Sequence, residues 1–259
     1  MSKSKVIYVP LIKNENIARD IYRMVLKIPK EEPAFRNTIP GQFVNVYLDE
    51  KDTLLPRPIS ICDVKDEELH LVYKVVGKGT QRMMTIKEGE LVRITGPLGN
   101  GYSCPTNKRV LLIAGGTGIP SMVALAKRLK LLNCHVTSLL GYRDECFLVQ
   151  DMNECCHEAF LAMETGDQGF KGNVVELLKS ADPKVDFCYA CGPKPMLKDV
   201  SEYCAYKNIE LQVSLEERMG CGYGACLGCA VTINDPGPVK KRVCKDGPVF
   251  IGSQVVWDE

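Results

Sequence analysis

Apolar and polar positions change rhythm twice along this chain. Through the first hundred residues, short stretches alternate or run apolar and β-branched: QFVNVYL at 42–48, LHLVYKVV at 69–76 and ELVRITG at 90–96. Turn-forming residues separate them, at Pro40-Gly41, Pro56-Arg57-Pro58, Gly77-Lys78-Gly79, Lys87-Glu88-Gly89 and Gly96-Pro97. Strands so punctuated predict a small antiparallel β-barrel over residues 1–103. After that the period lengthens. RVLLIAGG (109–116) is a continuous apolar strand, and IPSMVALAKRLKLLN (119–133) has helical spacing. HVTSLLGY (135–142) reads as a strand, 149–163 as an acidic helix-like segment, and GNVVELLKS (172–180) as a helix. DFCYACG (186–192, strand), PKPMLKDVSEYCAYKN (193–208, helix) and IELQVSL (209–215, strand) follow. Alternation of this kind predicts a doubly wound parallel sheet over 104–215. From 216 to 259 the pattern breaks again into a segment rich in cysteine and glycine, too short for a core of its own and expected to need a staple.

Composition narrows the class. With 45% hydrophobic and 25% charged residues and a formal net charge of +1, the chain suits a globular protein and carries no broad field aimed at nucleic acid or an anionic membrane. There is no apolar run of membrane-spanning length and no signal-peptide pattern at the N-terminus, so a cytosolic protein is expected. Its thirteen cysteines are an odd number. Cys62, Cys134, Cys188 and Cys204 fall singly in apolar segments and read as reduced, buried thiols; the adjacent Cys155-Cys156 has no metal spacing. His70, His135 and His157 have no partner at a useful spacing and receive no role.

One stretch departs from this background. CGYGACLGC places Cys221, Cys226 and Cys229 among Gly220, Gly222, Gly224, Ala225 and Gly228, and Cys244 follows after fourteen residues. This C-x4-C-x2-C…C order is that of plant-type [2Fe–2S] ligation, and small neighbours let backbone N–H groups point at the sulfurs. The competing reading is a structural zinc site with four cysteine ligands, which usually takes two C-x2-C knuckles and here has only one.

Two weaker motifs precede it. Arg57-Pro58-Ile59-Ser60 follows a proline-rich turn and lies ahead of LVYKVVGKGT (71–80). A bare R-x-x-S would by itself read as an exposed turn, but this position offers an arginine to a pyrophosphate and a hydroxyl to a flavin ring, with Gly79 and Thr80 at the phosphates. Gly115-Gly116-Thr117-Gly118 joins a strand to a helix, where glycines let a phosphate approach backbone amides. It lacks the G-x-G-x-x-G spacing, and a ligand-free tight turn is the alternative. Cys191-Gly192-Pro193 closes a later strand at the edge where such sheets bind ligands.

Taken in order, these motifs resemble the ferredoxin–NADP reductase superfamily, and EERMGCGYGACLGCAV with RVCKDGPVF is similar to the electron-transfer subunits of NAD-dependent (class B) dihydroorotate dehydrogenase. The resemblance implies FAD held by Arg57, Pro58, Ile59 and Ser60, with Val72, Tyr73 and Lys74 along its other side and Gly79 and Thr80 at the phosphates. It implies a [2Fe–2S] cluster on Cys221, Cys226, Cys229 and Cys244, NAD facing Gly115, Gly116, Thr117 and Gly118, and Cys191 near the hydride-transfer position as the catalytic candidate. It implies an FMN-containing catalytic partner in pyrimidine biosynthesis, by analogy in a heterotetramer of two of each subunit. Asp144 would favour NAD by repelling a 2′-phosphate, while Arg143 would do the reverse. Two rivals remain: an NAD(P)H-oxidising flavoprotein subunit of a sulfide dehydrogenase or hydrogenase complex, and a non-redox scaffold with a zinc-stapled tail.

Overall fold

In the computed structural model, which describes residues 5–48 and 53–257, the β-branched alternation of the first hundred residues closes a barrel. Its strands are β1 (Val6–Ala18), β2 (Ile21–Lys27), β3 (Phe43–Tyr47), β4 (Arg57–Lys65), β5 (Glu68–Lys74) and β6 (Leu91–Leu98). Two short helices, α1 (Pro33–Arg36) and α2 (Lys78–Met84), lie in its connections. Strands pair antiparallel in the closed order β1-β2-β5-β4-β3-β6. Alternation decides the two faces of β3. Val44 and Val46 enter the barrel core with Leu26, Leu69, Leu71 and Ile94, whereas Phe43, Asn45 and Tyr47 point outward. Register sets Phe43 opposite Ser60 and Asn45 opposite Pro58, so these four side chains share one outer face.

The second unit is the doubly wound sheet. β7 (Arg109–Gly115), α3 (Ile119–Leu131), β8 (His135–Tyr142), α4 (Val149–Cys155), β9 (Glu158–Met163) and β10 (Phe170–Lys171) build one side. α5 (Val174–Ala181), β11 (Phe187–Cys191), α6 (Lys194–Lys207) and β12 (Glu210–Ser214) build the other. The acidic segment at 149–163 is not one helix. It holds α4 and then β9, because EAFLAM alternates and pairs in parallel with β8. Beyond β12 come the hairpin β13 (Ala230–Asn234) and β14 (Pro238–Arg242), the single turn α7 (Val243–Asp246) and β15 (Val249–Ile251). The sheet order is β10-β9-β8-β7-β11-β12-β15, so strand order reverses between β7 and β11, the point at which sheets of this type bind ligands. α3 and α4 cover one face, and α5 and α6 the other.

The C-terminal segment is not self-contained. β15 adds antiparallel to β12, and Cys229, Ile233, Val243, Cys244 and Val255 join the core beneath α5 and α6, which also takes in Phe43 and Leu98 of the barrel. The segment therefore borrows apolar burial from both larger units.

Barrel and sheet meet where Lys127 of α3 pairs with Asp63 of β4 and where Arg23 of β2 holds Asp151 of α4 through two contacts of 2.9 and 2.8 Å. Cys62 lies buried in this seam, and burial pushes its thiol up to about 12; the same cause raises buried Cys191 to about 12. An unfolded thiol ionises near 9.0. Below that value both states hold the proton and the contribution is intact. Above it only the unfolded chain releases the proton, so stability falls by about 1.4 kcal/mol per thiol per pH unit until the folded thiol also ionises. Urea unfolding of wild type and Cys62→Ala across this alkaline window is expected to show a shallower decline for the variant.

Candidate functional site

Where barrel, sheet and C-terminal segment converge, a cleft of about 350 Å³ opens. The barrel contributes Arg57, Pro58, Ile59 and Ser60 from β4, Val72, Tyr73 and Lys74 from β5, and Thr80 from α2. The motif residues expected at a flavin thus come together from separate strands onto one surface. Tyr73 is fixed by stacking on Tyr22 at 5.9 Å between ring centroids, and its hydroxyl donates to Asn14 Oδ1 at 3.1 Å. Gly79 packs against Arg57 instead of facing the cleft: a Cβ there would stand 1.9 Å from Arg57 Nε. The glycine is what lets the guanidinium lie along α2. The Thr80 hydroxyl accepts from Val76 N at 2.9 Å and Gly77 N at 3.2 Å and donates to Gly77 O at 3.1 Å. That hydroxyl closes the turn that opens α2.

Of the glycine-rich turn only Thr117 lines this cleft. Its three flanking glycines divide by role. A Cβ on Gly118 would stand 2.3 Å from the Cys191 carbonyl oxygen, and one on Gly115 would meet Met196 and Pro193. Both glycines interlock the turn with Cys191-Gly192-Pro193 across the switch point. Gly116 differs: at φ +50° it has nothing within 4 Å of its Cβ position, and its backbone is open to a ligand. Cys191 is 1% exposed and lies behind these turns, its protonated thiol within reach of Ser121 and Ser214. Native protein is therefore expected to leave Cys191 unmodified by iodoacetamide, while half-exposed Cys104 reacts slowly, its thiol raised to about 11 by burial. Peptide mapping after alkylation checks this.

Several lining residues carry no sequence signature. Phe43, Ser214, Leu215, Glu216, Glu217, Met219 and Pro248 reach the cleft from a strand face, a strand end and the two flanks of the cysteine segment. Glu216 is open to the cleft but packed by protein on its other sides, and that partial desolvation raises its carboxyl above the usual range. Asp144 is held by Arg19 of the barrel at 3.1 Å, whereas the Arg143 side chain is exposed. His135 and His157 lie with tilted rings 4.5 Å apart at the starts of β8 and β9, the end of the sheet opposite the ligand-binding strand ends.

The four cysteines of the C-terminal segment gather as two pairs. Cys221 and Cys226 approach with sulfurs 3.4 Å apart, and the Cys229 and Cys244 thiols are in hydrogen-bond contact. Among the described residues no three Cys, His, Asp or Glu side chains surround a single-ion position. Two thiol pairs side by side suit a core of two irons, each taking one pair, better than one tetrahedral zinc. Burial opposes ionisation of Cys221, but backbone N–H groups of Cys226, Tyr223 and Ala225 and the Cys226 thiol outweigh it and bring the thiol down to about 6. Burial and the Cys229 thiol push Cys244 the other way. One thiolate is prepared by the loop, and the metal must displace protons from the rest. Gly222 (φ +74°) and Gly224 (φ +87°) permit the tight path: side chains there would strike Asn45 and Lys245. The residues present fit an iron–sulfur cluster.

Comparison with known proteins agrees. The family model "Oxidoreductase FAD-binding domain" matches residues 8–102, and "Iron-sulfur cluster binding domain of dihydroorotate dehydrogenase B" matches 216–256. The dihydroorotate dehydrogenase B (NAD(+)) electron transfer subunit of Caldanaerobacter subterraneus subsp. tengcongensis is 40% identical over 95% of this chain and 97% of its own. That of Desulforamulus reducens is 41% identical over 98% and 100%. The chain belongs to the dihydroorotate dehydrogenase B electron transfer subunits. Like other members of that family it has an FAD-binding domain and an iron–sulfur segment. Among solved structures, the NADH-dependent reduced ferredoxin-NADP oxidoreductase of flavin-based electron bifurcation aligns at a TM-score of 0.87 and 29% identity, covering 97% of this chain and 91% of that one. The likeness therefore runs through the cysteine segment, so shape alone does not separate this family from that oxidoreductase. The ferredoxin reductase of carbazole 1,9a-dioxygenase, at a TM-score of 0.67 and 19% identity over 80% and 67%, shares the fold.

Proposed function

We propose that this chain carries electrons between a dihydroorotate-oxidising catalytic subunit and NAD⁺, within de novo pyrimidine biosynthesis. The observation that carries the reading is a shared wall. Met219 and Pro248, which line the barrel cleft, flank the segment that bears Cys221 and Cys244, so flavin and cluster sites adjoin. Bound FAD supplies hydride chemistry and a [2Fe–2S] cluster supplies one-electron chemistry, which together adapt a one-electron donor to a nicotinamide acceptor.

The chain's own residues position these groups. Arg57 offers a guanidinium to the FAD pyrophosphate, Ser60 a hydroxyl to the ring, and Val72, Tyr73 and Lys74 its flanking wall. Truncating Arg57 to alanine is expected to weaken FAD roughly 10- to 100-fold, the range for losing a hydrogen bond to a charged group, read by flavin fluorescence on dilution. Gly116 and Thr117 face the nicotinamide nucleotide, with Gly115 and Gly118 holding their turn in place. Cys191, protonated and buried behind the cleft, shapes the hydride-transfer position by packing. Cys221, Cys226, Cys229 and Cys244 ligate the cluster. The partner is an FMN-containing catalytic subunit in a complex of two of each. The assembly is placed in the cytosol by this reading; no helix among the described residues is long and apolar enough to cross a membrane.

The test is a tagged copy purified anaerobically from its own host with its bound partner, assayed for NAD⁺ reduction by dihydroorotate. A rate that vanishes when the partner is stripped away supports the reading. No rate with dihydroorotate, with flavin and cluster both present, would reassign the chain to another complex, of the sulfide dehydrogenase or hydrogenase type.

A further inference from the structure

The outer face of β3 holds a side chain that neither the flavin cleft nor the cysteine motif explains. Asn45 is 0% exposed, flanked on its own face by the aromatic residues Phe43 and Tyr47, and its Oδ1 has no hydrogen-bond partner among the described residues. Buried amides with an unmatched oxygen are uncommon, and an apolar side chain would fill such a face more cheaply. The other end of the amide explains its presence. Asn45 Nδ2 donates to the main-chain oxygen of Cys221 at 3.3 Å, and the loop folds so closely over the amide that a Cβ on Gly222 would stand 2.3 Å from Nδ2. Its register partner is Pro58, which lines the flavin cleft.

The adjacent barrel strand does the same for the other half of the cysteine site. Just past β6, which pairs with β3, Asn100 Nδ2 donates to Lys245 O at 3.3 Å and Asp246 O at 3.1 Å, and Asn100 N donates to Gly247 O at 2.6 Å. The first two are carbonyls of α7, the turn that carries Cys244, and the third belongs to its C-cap. Each thiol pair is thus tied by one amide to the barrel that holds the flavin.

We propose that Asn45 and Asn100 are positioning residues that fix the cluster relative to the flavin and set how firmly its loop grips the irons. The proposal rests on the ligand set above. Asn45 anchors the loop of Cys221 and Cys226, and Asn100 anchors the turn of Cys244. Neither touches a sulfur. They act through the backbone on which the thiolates are mounted, as outer-shell partners orient the ligands of other metal sites.

The test uses the full-length protein with its FAD and cluster, without the catalytic subunit. Asn45→Ala, Asn45→Asp, Asn100→Ala and the double alanine variant are compared for iron release to bathophenanthroline, for the EPR spectrum of the reduced cluster and for FAD content. Each single alanine variant is expected to release iron roughly tenfold faster, at the lower end of the effect of losing an outer-shell partner, with an altered EPR line shape and FAD retained. Asn45→Asp keeps the size but replaces the donor with a carboxylate facing the Cys221 carbonyl, and is expected to release iron at least as fast as the alanine. Iron release and EPR spectra like those of wild type in both alanine variants would overturn the proposal. FAD lost in step with iron would also overturn it, by making the asparagines packing residues of the barrel. Asn100 is exposed, so its truncation opens no cavity and keeps that comparison decisive. Failure of the ligand assignment itself would look different: a cysteine-to-serine variant would keep its cluster.

Discussion

Replacing Cys226 with serine is expected to leave a folded yellow protein that has lost its iron–sulfur absorbance. Cys226 is half of the pair whose sulfurs lie 3.4 Å apart, and its backbone N–H also supports the Cys221 thiolate. Serine fills nearly the same space and keeps the backbone contact, so the fold has little reason to change. A hydroxyl, however, ionises far less readily than a thiol and is a harder ligand than iron–sulfur cores take. With one iron left to a single thiolate, the core is expected to be lost on purification. Dihydroorotate-dependent NAD⁺ reduction by the reconstituted complex should fall by more than about 100-fold, beyond the 10- to 100-fold typical of an outer-shell loss. The checks are the visible spectrum, iron and acid-labile sulfide per chain, and FAD content. Cys104→Ser, a free thiol remote from the segment, is the matched control and should change none of them. A Cys226→Ser protein that kept its full visible spectrum would sink the ligand assignment, and a wild type that bound zinc without colour would restore the scaffold reading.

The second large effect separates two glycines that stand two residues apart. Gly118→Ala would drive a methyl to 2.3 Å from the Cys191 carbonyl oxygen and 2.7 Å from the Gly192 nitrogen. Both are backbone atoms at the end of β11, the strand next to β7, so no side-chain rotation relieves the contact. The cost is expected at the upper end of overpacking, about 3 kcal/mol or more, and a fall in Tm of roughly 6–12 °C follows for a chain of this size. Gly116→Ala meets no atom within 4 Å and pays only for its left-handed backbone, about 1–2 kcal/mol. Its larger effect is expected in the KM for NAD⁺, because the new methyl projects into the space a nucleotide would use. Thermal melts and steady-state kinetics on the pair test the division. Equal Tm values would refute the interlocked-turn account, and an unchanged KM for Gly116→Ala would move the nucleotide elsewhere.

Much of this was legible in the residues, for definite reasons. Barrel and sheet announce themselves because strand and helix periods differ and because glycine and proline mark the turns between them. Cys221, Cys226, Cys229 and Cys244 were legible because metal ligation fixes both residue type and spacing. The segment at 149–163 misled because seven helical residues run into a six-residue strand with only Cys156 and His157 between. The flavin cleft was half legible. Arg57 to Ser60 and Val72 to Lys74 are contiguous, but Phe43, Glu216 and Met219 are brought in by strand register and chain crossing, which leave no local pattern. Gly79 and Gly118 looked like phosphate-facing glycines and turn out to serve close packing, a distinction that depends on what lies across from them. Asn45 could not be found at all from sequence, since a single asparagine in QFVNVYL reads as the polar position of an alternating strand.

The pairing of Ser214 with Val249 has a consequence for how this protein can be taken apart. Those residues end β12 and begin β15, so everything from Leu215 to Pro248, all four cluster cysteines included, leaves the sheet and returns to it at one point. In topological terms the cluster segment is an insertion within a hairpin, with its entrance and exit side by side. Such a segment can be exchanged without rethreading the chain. A short turn joining β12 to β15 would keep the order of barrel and sheet, remove the wall that Glu216 and Met219 give the cleft, and bare the barrel face of Phe43 and Asn45 to water. A segment with other ligands, grafted between the same two strands, would inherit its distance from the flavin as a ready-made geometry. The architecture is a socket into which one redox centre has been fitted.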